Sequence, residues 1–564
     1  MIDILMQVIN EATKSLGYDT ENRVTISNRP ELCDFQCNDA FRLAKKFHKN
    51  PVEIGEEIVD TLRKREDFSS YFSEVEFVKP GFINLKVSDI FINQMLTKMC
   101  EEEKFGISKP DKIETYFLDY GGYNIAKPLH IGHLRPTIIG ESLKRIIQYK
   151  GHKTIADVHL GDYGLQMGQV IYGIVRDQMT LDTITIDYLN RIYPEISALC
   201  KEDESVKEEC ARITKELQEE NVEYNKILDK IVEISIEDAK KICEYLDVSF
   251  NLWQGERDSY PYLDVVEKIL KEKNLLECSE GAMVVNVKKE TDNKPMPPMM
   301  FKKSNGAYVY DSTDLATIYE RKEKYKPDHI LYVTDFRQNL HFEQVFRVSD
   351  MAGLIPYACL EHDYNGTING KDGKPFKTRK GDAPKLSELF EIVKETFISL
   401  KEENKEMDRE DIDKIVNAII KFADFQNGRD KDYIFDPEKF SGVVGKTGPY
   451  ILYTYLRIDK ILKEVGKGDT LGDKIYNDSD RKLRLKLLEL ESALSLAFEE
   501  RKPSYIADYI YNVALLANNF YQRNHIIGLE DEEKKNSWLY LLALTNSIIK
   551  EMLKLILIEI PKFM

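Results

Sequence analysis

At 564 residues, with 42% hydrophobic and 31% charged content, the chain is too long for a single hydrophobic core and has the composition of a globular protein of about three or four domains. Its formal net charge of −17 argues against a chain that is basic throughout, as general nucleic-acid binders are, and leaves room only for a local basic face. The eight cysteines, at 33, 37, 100, 200, 210, 243, 278 and 359, include no second pair at zinc spacing, so reduced thiols and no structural metal are expected. The first residues, MIDILMQVINEATKSLG, carry Asp3 and Glu11 and lack a cleavage site, which reads as a helix and not a signal peptide. No run reaches membrane-spanning length, and a cytoplasmic location without membrane contact follows.

In chain order, residues 1–110 read as an α+β unit. Helical stretches flank the Asn50-Pro51 break, and VEFVKPGFINLKV alternates like two strands around Pro80-Gly81. Next comes the stretch from Glu114 to Asp162. Tyr116, Phe117 and Leu118 form a short β-prone run, and Gly121 and Gly122 break it. Ile138, Ile139, Leu143, Ile146 and Ile147 then recur at helical spacing, Gly151 closes the helix, and Thr154 to Leu160 forms a second strand. This is a βαβ unit and implies a parallel sheet. From about 180 to 250 the chain is charged and helical, an exposed amphipathic insertion between two halves of the sheet; the second half is clearest at HILYV, a buried parallel strand. From about 400 onward the pattern is helical throughout and predicts a bundle.

The loop that leaves the first strand carries Lys127, His130, Gly132 and His133. A helix N-terminus offers unpaired N–H groups and the positive end of a dipole, and glycine lets a phosphate approach the backbone. Two histidines and a lysine add donors, so phosphate contact is the favoured reading and a capping histidine the competing one. Neither G-x-G-x-x-G nor G-x-x-x-x-G-K-[ST] occurs in this loop. A second basic stretch, YNGTINGKDGKPFKTRKGDAPKLSELF, has four glycines and Lys371, Lys374, Lys377, Arg379 and Lys380 ahead of a helix. Asp119 ends the first strand, and Asp314 follows Tyr310 by four residues, so the last two share a face at a helix start.

His130-Ile131-Gly132-His133 spells the HIGH signature of class I aminoacyl-tRNA synthetases, and N-I-A-K-P-L-H-I-G-H-L-R-P-T-I-I-G resembles the arginyl-tRNA synthetase family. DFQCNDAFRLAKK with PGFINLKV, GDYGLQMGQV, and GKTGPYILYTYLRI through ANNFYQRN extend the resemblance over nearly the whole chain. It implies a Rossmann-type parallel-sheet catalytic domain at 111–395, with the insertion at about 180–290. An additional tRNA-binding domain occupies 1–110, and a helical anticodon-binding domain 396–564. It further implies ATP-dependent activation of L-arginine and its transfer to the 3′-terminal adenosine of tRNA(Arg), with ATP as its Mg2+ complex and a monomeric enzyme.

By the same resemblance, Lys127, His130, His133 and Lys377 are catalytic, and His130, Gly132, His133, Lys374, Lys377 and Arg379 bind ATP. Asp119, Asn124, His133, Tyr310, Asp314 and Gln338 bind arginine, while Phe82, Asn84, Tyr450 and Met564 contact tRNA. Buried carboxylates suit a guanidinium, since a bidentate pair is selective and strong once desolvated. The loop reads Gly-Tyr-Asn where the family has Ser-Pro-Asn, and the acid before it is Asp119 where glutamate is commoner. The KMSKS-like loop is degenerate as Pro375-Phe376-Lys377-Thr378-Arg379, a loss that in this family accompanies a lysine at the position of Lys127. Two alternatives stay open: another class I synthetase, and a catalytically silent RNA-binding paralogue.

Overall fold

The computed structural model describes residues 1–19, 21–376, 384–400 and 407–564. Tyr116, Phe117 and Leu118 are buried in β1 (Thr115–Tyr120), an inner strand of a four-stranded parallel sheet. On one side lies β2 (Lys153–Asp157); on the other lie β3 (His329–Val333) and then β4 (Leu360–His362). The strand order therefore reverses between β1 and β3. Open α/β sheets hold ligands at such a reversal, beyond the carboxyl ends of the strands. Register places Tyr332, Asp119 and Asp157 side by side at that end.

Helix α1 (Ile131–Tyr149) connects β1 to β2 and buries Ile138, Ile139, Leu143, Ile146 and Ile147. It lies close on the sheet because Gly140 has no side chain: a Cβ there would fall 2.2 Å from Cγ of Tyr120. After β2 come α2 (Leu165–Arg176) and α3 (Ile186–Glu202), the latter opening a helical insertion that continues through Glu204–Gln218 and Val222–Tyr245. The insertion ends in a small antiparallel sheet of Leu276–Ser279, Ala282–Val285 and Met299–Lys302. Helices α4 (Tyr310–Tyr325) and α5 (Asn339–Ala352) bring Leu315, Ile318, Val345, Phe346 and Val348 into one core with Phe117 and Ile330. Burying each such side chain stabilises the fold by about 2 kcal/mol before its ordering entropy is counted. Helix α6 (Arg409–Phe425) is fastened to α1 by Arg135, which is buried and pairs with Asp424 at 2.8 Å.

The described residues form two compact units. One comprises Lys109–Tyr453, Leu494–Asp508 and Met552–Met564, the other Met1–Ser108, Thr454–Ala493 and Tyr509–Glu551. The second contains an antiparallel sheet in the order Val24–Ile26, Phe35–Cys37, Phe82–Val87, Phe72–Val78. The family resemblance divides the chain at 1–110 and 396–564; residues 1–108 pack in one unit with two stretches of the C-terminal helices. The physical reason is a pair of arginines. Arg484, fully buried, donates to Asp480 at 2.7 Å and to Asn93 and Ser537 at 2.8 Å each, while Arg481 makes a two-pronged pair with Asp34. Among the described residues no helix is long and apolar enough to cross a membrane.

Candidate active site

The loop between β1 and α1 is organised by its own histidines. His130 is the N-cap of α1; its Nδ1 accepts from the Gly132 N–H at 3.1 Å, while the His130 N–H donates to Nδ1 of His133 at 3.1 Å. Both histidines thus cap the helix, and the capping and phosphate readings are compatible. With Nδ1 accepting on each ring, the neutral imidazole carries its proton on Nε2 and offers one N–H donor. The His130 ring, exposed yet partly desolvated by the loop around it, is held below its ordinary pKa with Lys127 adding to the effect, and burial takes His133 down to about 3. The histidines are therefore neutral donors throughout the physiological range. Gly132 is required: a Cβ there would lie 2.8 Å from Cε1 of His130 and dislodge the cap.

Upstream, Tyr123 is buried and its hydroxyl shares a hydrogen bond with Thr137 at 2.9 Å, so this loop residue ties the loop to α1. Asn124 is exposed and pairs by its backbone with Gly161. Ala126 holds a left-handed φ of 60°, with its N–H given to Ser235 Oγ at 3.1 Å. Strained backbone of this kind persists only where its surroundings impose it. The next residue, Lys127, places Nζ 4.3 Å from the centroid of the Tyr193 ring on α3.

Beyond the strand ends lies a cluster of carboxylates. Asp314 accepts from His341 Nε2 at 2.5 Å, and Asp311 holds Nδ1 of the same ring at 2.6 Å. Burial opposes the charge on His341, but these two hydrogen bonds and charges prevail and raise its pKa to about 10. Burial likewise pushes the Asp314 carboxyl up, and His341 more than reverses it, leaving Asp314 below its ordinary value. Asp119 is placed differently from a substrate-facing acid. Its Oδ2 accepts from the buried Arg321 at 2.7 Å, and the same nitrogen reaches Asp157 at 3.1 Å. Burial raises Asp119, and Arg321 only partly opposes it. Tyr310, one turn before Asp314, is exposed, and its phenol lies in the field of Glu256, Tyr193 and Asp314. Gln338 is exposed at the end of a short turn, three residues before His341, and its side chain makes none of the described hydrogen bonds.

Lys377 and Arg379 lie outside the described residues. The chain on their C-terminal side is clipped to the histidine loop: the Ile131 N–H donates to Pro384 O at 3.0 Å and the Leu386 N–H to Leu129 O at 2.9 Å. On their N-terminal side Lys374 is exposed in a tight turn closed by Gly370 N–H to Lys374 O at 2.7 Å. In the other unit Asn84 is buried and accepts from Gln36 at 2.9 Å, and half-exposed Phe82 packs edge-on against Phe41. Tyr450, half-buried, receives Thr447 Oγ1 as acceptor for its N–H, and Met564 is half-buried at the last position.

Three contributors escape sequence reasoning. Tyr193 sits in a stretch whose charge pattern signals only an exposed helix face. Glu256 opens a short turn, Glu256–Tyr262, and burial pushes its carboxyl up to about 8, with His159 opposing and Asp314 and Asp162 adding to the rise. His159 lies two residues beyond β2, within the stretch Thr154 to Leu160 that the sequence reads as strand, and that position was the available signal.

A parallel sheet whose first crossover helix is capped by an H-I-G-H loop, with a carboxylate cluster across the strand-order reversal, defines the catalytic domain of a class I aminoacyl-tRNA synthetase. Residues 94–437 match the family described as "tRNA synthetases class I (R), catalytic domain", residues 2–87 the "Arginyl tRNA synthetase N terminal domain", and residues 451–564 the "DALR anticodon binding domain". The chain belongs to the arginyl-tRNA synthetase family. It is 41% identical to an arginine–tRNA ligase of Alkaliphilus oremlandii over 100% of both chains, and 41% identical to one of Agathobacter rectalis over 98% of this chain and 97% of the relative. Its fold matches the crystal structure of arginyl-tRNA synthetase from Plasmodium falciparum with a TM-score of 0.82 at 25% identity, covering 100% of this chain and 99% of the other.

Proposed function

We propose a division of labour among these residues for the reaction that family membership assigns to the chain: ATP-driven ligation of arginine to tRNA. The arginine carboxylate attacks the α-phosphorus of ATP, the bond to the β-phosphate oxygen breaks, and pyrophosphate leaves, giving arginyl-adenylate. A terminal ribose hydroxyl of tRNA(Arg) then attacks the activated carbonyl and releases AMP. No side chain need act as a covalent nucleophile; positioning and charge stabilisation carry the rate.

The Nε2–H groups of His130 and His133 and the N-terminus of α1 receive phosphate oxygens, and Gly132 lets them approach. Lys127, held over Tyr193, supplies the fixed cation. Lys374, Lys377 and Arg379 bind the ATP phosphates, a role supported by the pairing of Pro384 and Leu386, further along the chain, with the histidine loop. The arginine side chain is met by Asp314 and Glu256, with Tyr310 and Gln338 at the rim and Asn124 and His133 toward the α-amino and carboxylate end. Asp119 contributes its charge from beneath, through Arg321. Mg2+ enters with ATP as part of the substrate.

Residues 1–110 serve the tRNA corner, through Phe82 more than Asn84, whose amide is engaged by Gln36. Residues 396–564 serve the anticodon, with Tyr450 and Met564 as contacts. The enzyme acts as a cytoplasmic monomer. The observation that carries the reading is the pair of neutral, helix-capping histidines on the loop after β1, with a cluster of acids beyond the strand ends in which Asp314 keeps one oxygen clear of His341. The test is arginine-dependent ATP–pyrophosphate exchange with and without cognate tRNA. Exchange with arginine and not lysine is expected; none in either mixture, with folded protein, overturns the reading in favour of a silent RNA-binding paralogue.

A further inference from the structure

His159 has no part in the scheme above, yet its setting is the least ordinary of any described side chain. Its backbone is left-handed, with φ 44°, a conformation a residue with a Cβ adopts only under constraint. Both ring nitrogens are sealed from solvent, and neither has a hydrogen-bond partner. Burying a neutral imidazole that way costs the desolvation of two polar atoms for nothing in return. A charged imidazole has a reason to be there.

Carboxylates face it from every surrounding element: Asp119 at the end of β1, Asp157 at the end of β2, Asp314 on α4, Asp162 in the following loop, and Glu256 from the turn after the insertion. Its Nε2 lies 3.8 Å from Oδ1 of Asp314, the oxygen that His341 leaves open. Arg321 opposes its charge directly, and His341, protonated on the other oxygen of Asp314, is a second cation close by. Burial alone would strip the proton from His159; Asp119, Asp314 and Asp157 outweigh burial and Arg321 together, and the ring keeps its proton above the ordinary range.

We propose that His159 is the resident counter-cation of the arginine pocket: protonated against Asp314 and Asp119 while the pocket is empty, it gives its proton to solvent when the substrate guanidinium arrives. This rests on the assignment of the Asp314 pocket to arginine. Two cations drawing on one carboxylate at short range repel each other, and imidazolium can relieve the conflict by losing a proton, whereas guanidinium cannot. The balance is empty enzyme carrying H+ plus arginine giving the complex plus H+. His341, gripped at both nitrogens by Asp311 and Asp314, keeps its proton to about pH 10 and is not the source.

The test is isothermal calorimetry of L-arginine binding to the full-length protein at pH 7.5 in phosphate and in Tris, whose ionisation enthalpies differ widely. Net proton release per arginine is expected, seen as binding heats that differ between the two buffers in proportion to their ionisation enthalpies, with affinity tightening by up to about tenfold per pH unit as His159 titrates. His159→Asn, which tolerates a left-handed backbone, should bind arginine with a smaller buffer dependence and a shallower pH profile, what remains coming from Glu256, whose carboxyl burial raises to about 8; an unchanged buffer dependence would assign the proton to Glu256 and overturn the proposal. Equal heats in the unsubstituted protein overturn the proposal whatever the variant does. Absence of arginine binding would instead take down the pocket assignment, and this proposal with it.

Discussion

Arg321 illustrates how a residue in the site differs from a residue of the reaction. It is 1% exposed, and its guanidinium bridges Asp119 and Asp157 on neighbouring strands, so two carboxylates at the carboxyl edge of the sheet are held together by the chain's own arginine. Removing one partner from a buried charge cluster strands the others. Arg321→Met is expected to destabilise the catalytic unit by about 3–5 kcal/mol, seen as a lower melting temperature, and to abolish amino-acid activation. Gly132→Ala makes the opposite kind of test. Its Cβ would press on the exposed His130 ring, not on the core, so melting should change little while the pyrophosphate-exchange rate falls at least tenfold, the scale of losing one oriented donor. At this scale the placing of His130, Gly132 and His133 at a strand-to-helix loop, and of Asp314 one turn after Tyr310 at a helix start, was legible in the sequence because spacing and residue type write it. Asp119 was legible as an acid at a strand end. Its partner Arg321, 202 positions away, was not, because pairing across a parallel sheet leaves no local trace.

At the scale of elements, β1 and α1 follow from the apolar run and the helical repeat that write them, and the core positions named from that repeat are the buried ones. The insertion behaves otherwise. Its helices read as solvated faces, yet α3 carries Tyr193 to Lys127, an interaction that periodicity cannot reveal because only the tertiary path of the insertion creates it. A lysine over an aromatic ring is attracted by about 0.5–2 kcal/mol, depending on how far it is desolvated. Tyr193→Ala should therefore slow pyrophosphate exchange by roughly 2- to 30-fold with little change in melting temperature, and Tyr193→Phe, which keeps the ring, should restore most of it. Loss of activity in both variants alike would show that the hydroxyl matters instead of the ring.

Across the whole molecule, the closing residues belong with the site they are furthest from in sequence. Residues 552–564 are part of the catalytic unit, and α1 and α6 hold them: Ser142 donates to Leu555 O at 2.7 Å, Arg145 to Lys554 O at 2.9 Å, and Lys421 to Leu557 O at 2.7 Å. Lys421 is 1% exposed; burial, seconded by Arg145 against Asp247, brings its pKa down to about 7. Its folded value lies below the unfolded one near 10.5, so the folded state pays to keep its proton below pH 7, and stability rises between about pH 7 and 10.5 as the unfolded chain alone stays charged. His341 has the reverse sign. With a folded value of about 10 above an unfolded 6.5, its contribution is whole below pH 6.5 and is lost as pH climbs through 10. The two slopes oppose each other in one window, so each is read as the difference in melting temperature between a variant and the unsubstituted protein. Lys421→Met removes the rising limb and, relative to that protein, should melt at progressively lower temperature as pH increases; His341→Gln removes the falling limb and should melt at progressively higher temperature. Scanning calorimetry at half-unit intervals of pH separates them, and parallel curves for the two variants would mean that neither group carries its assigned proton.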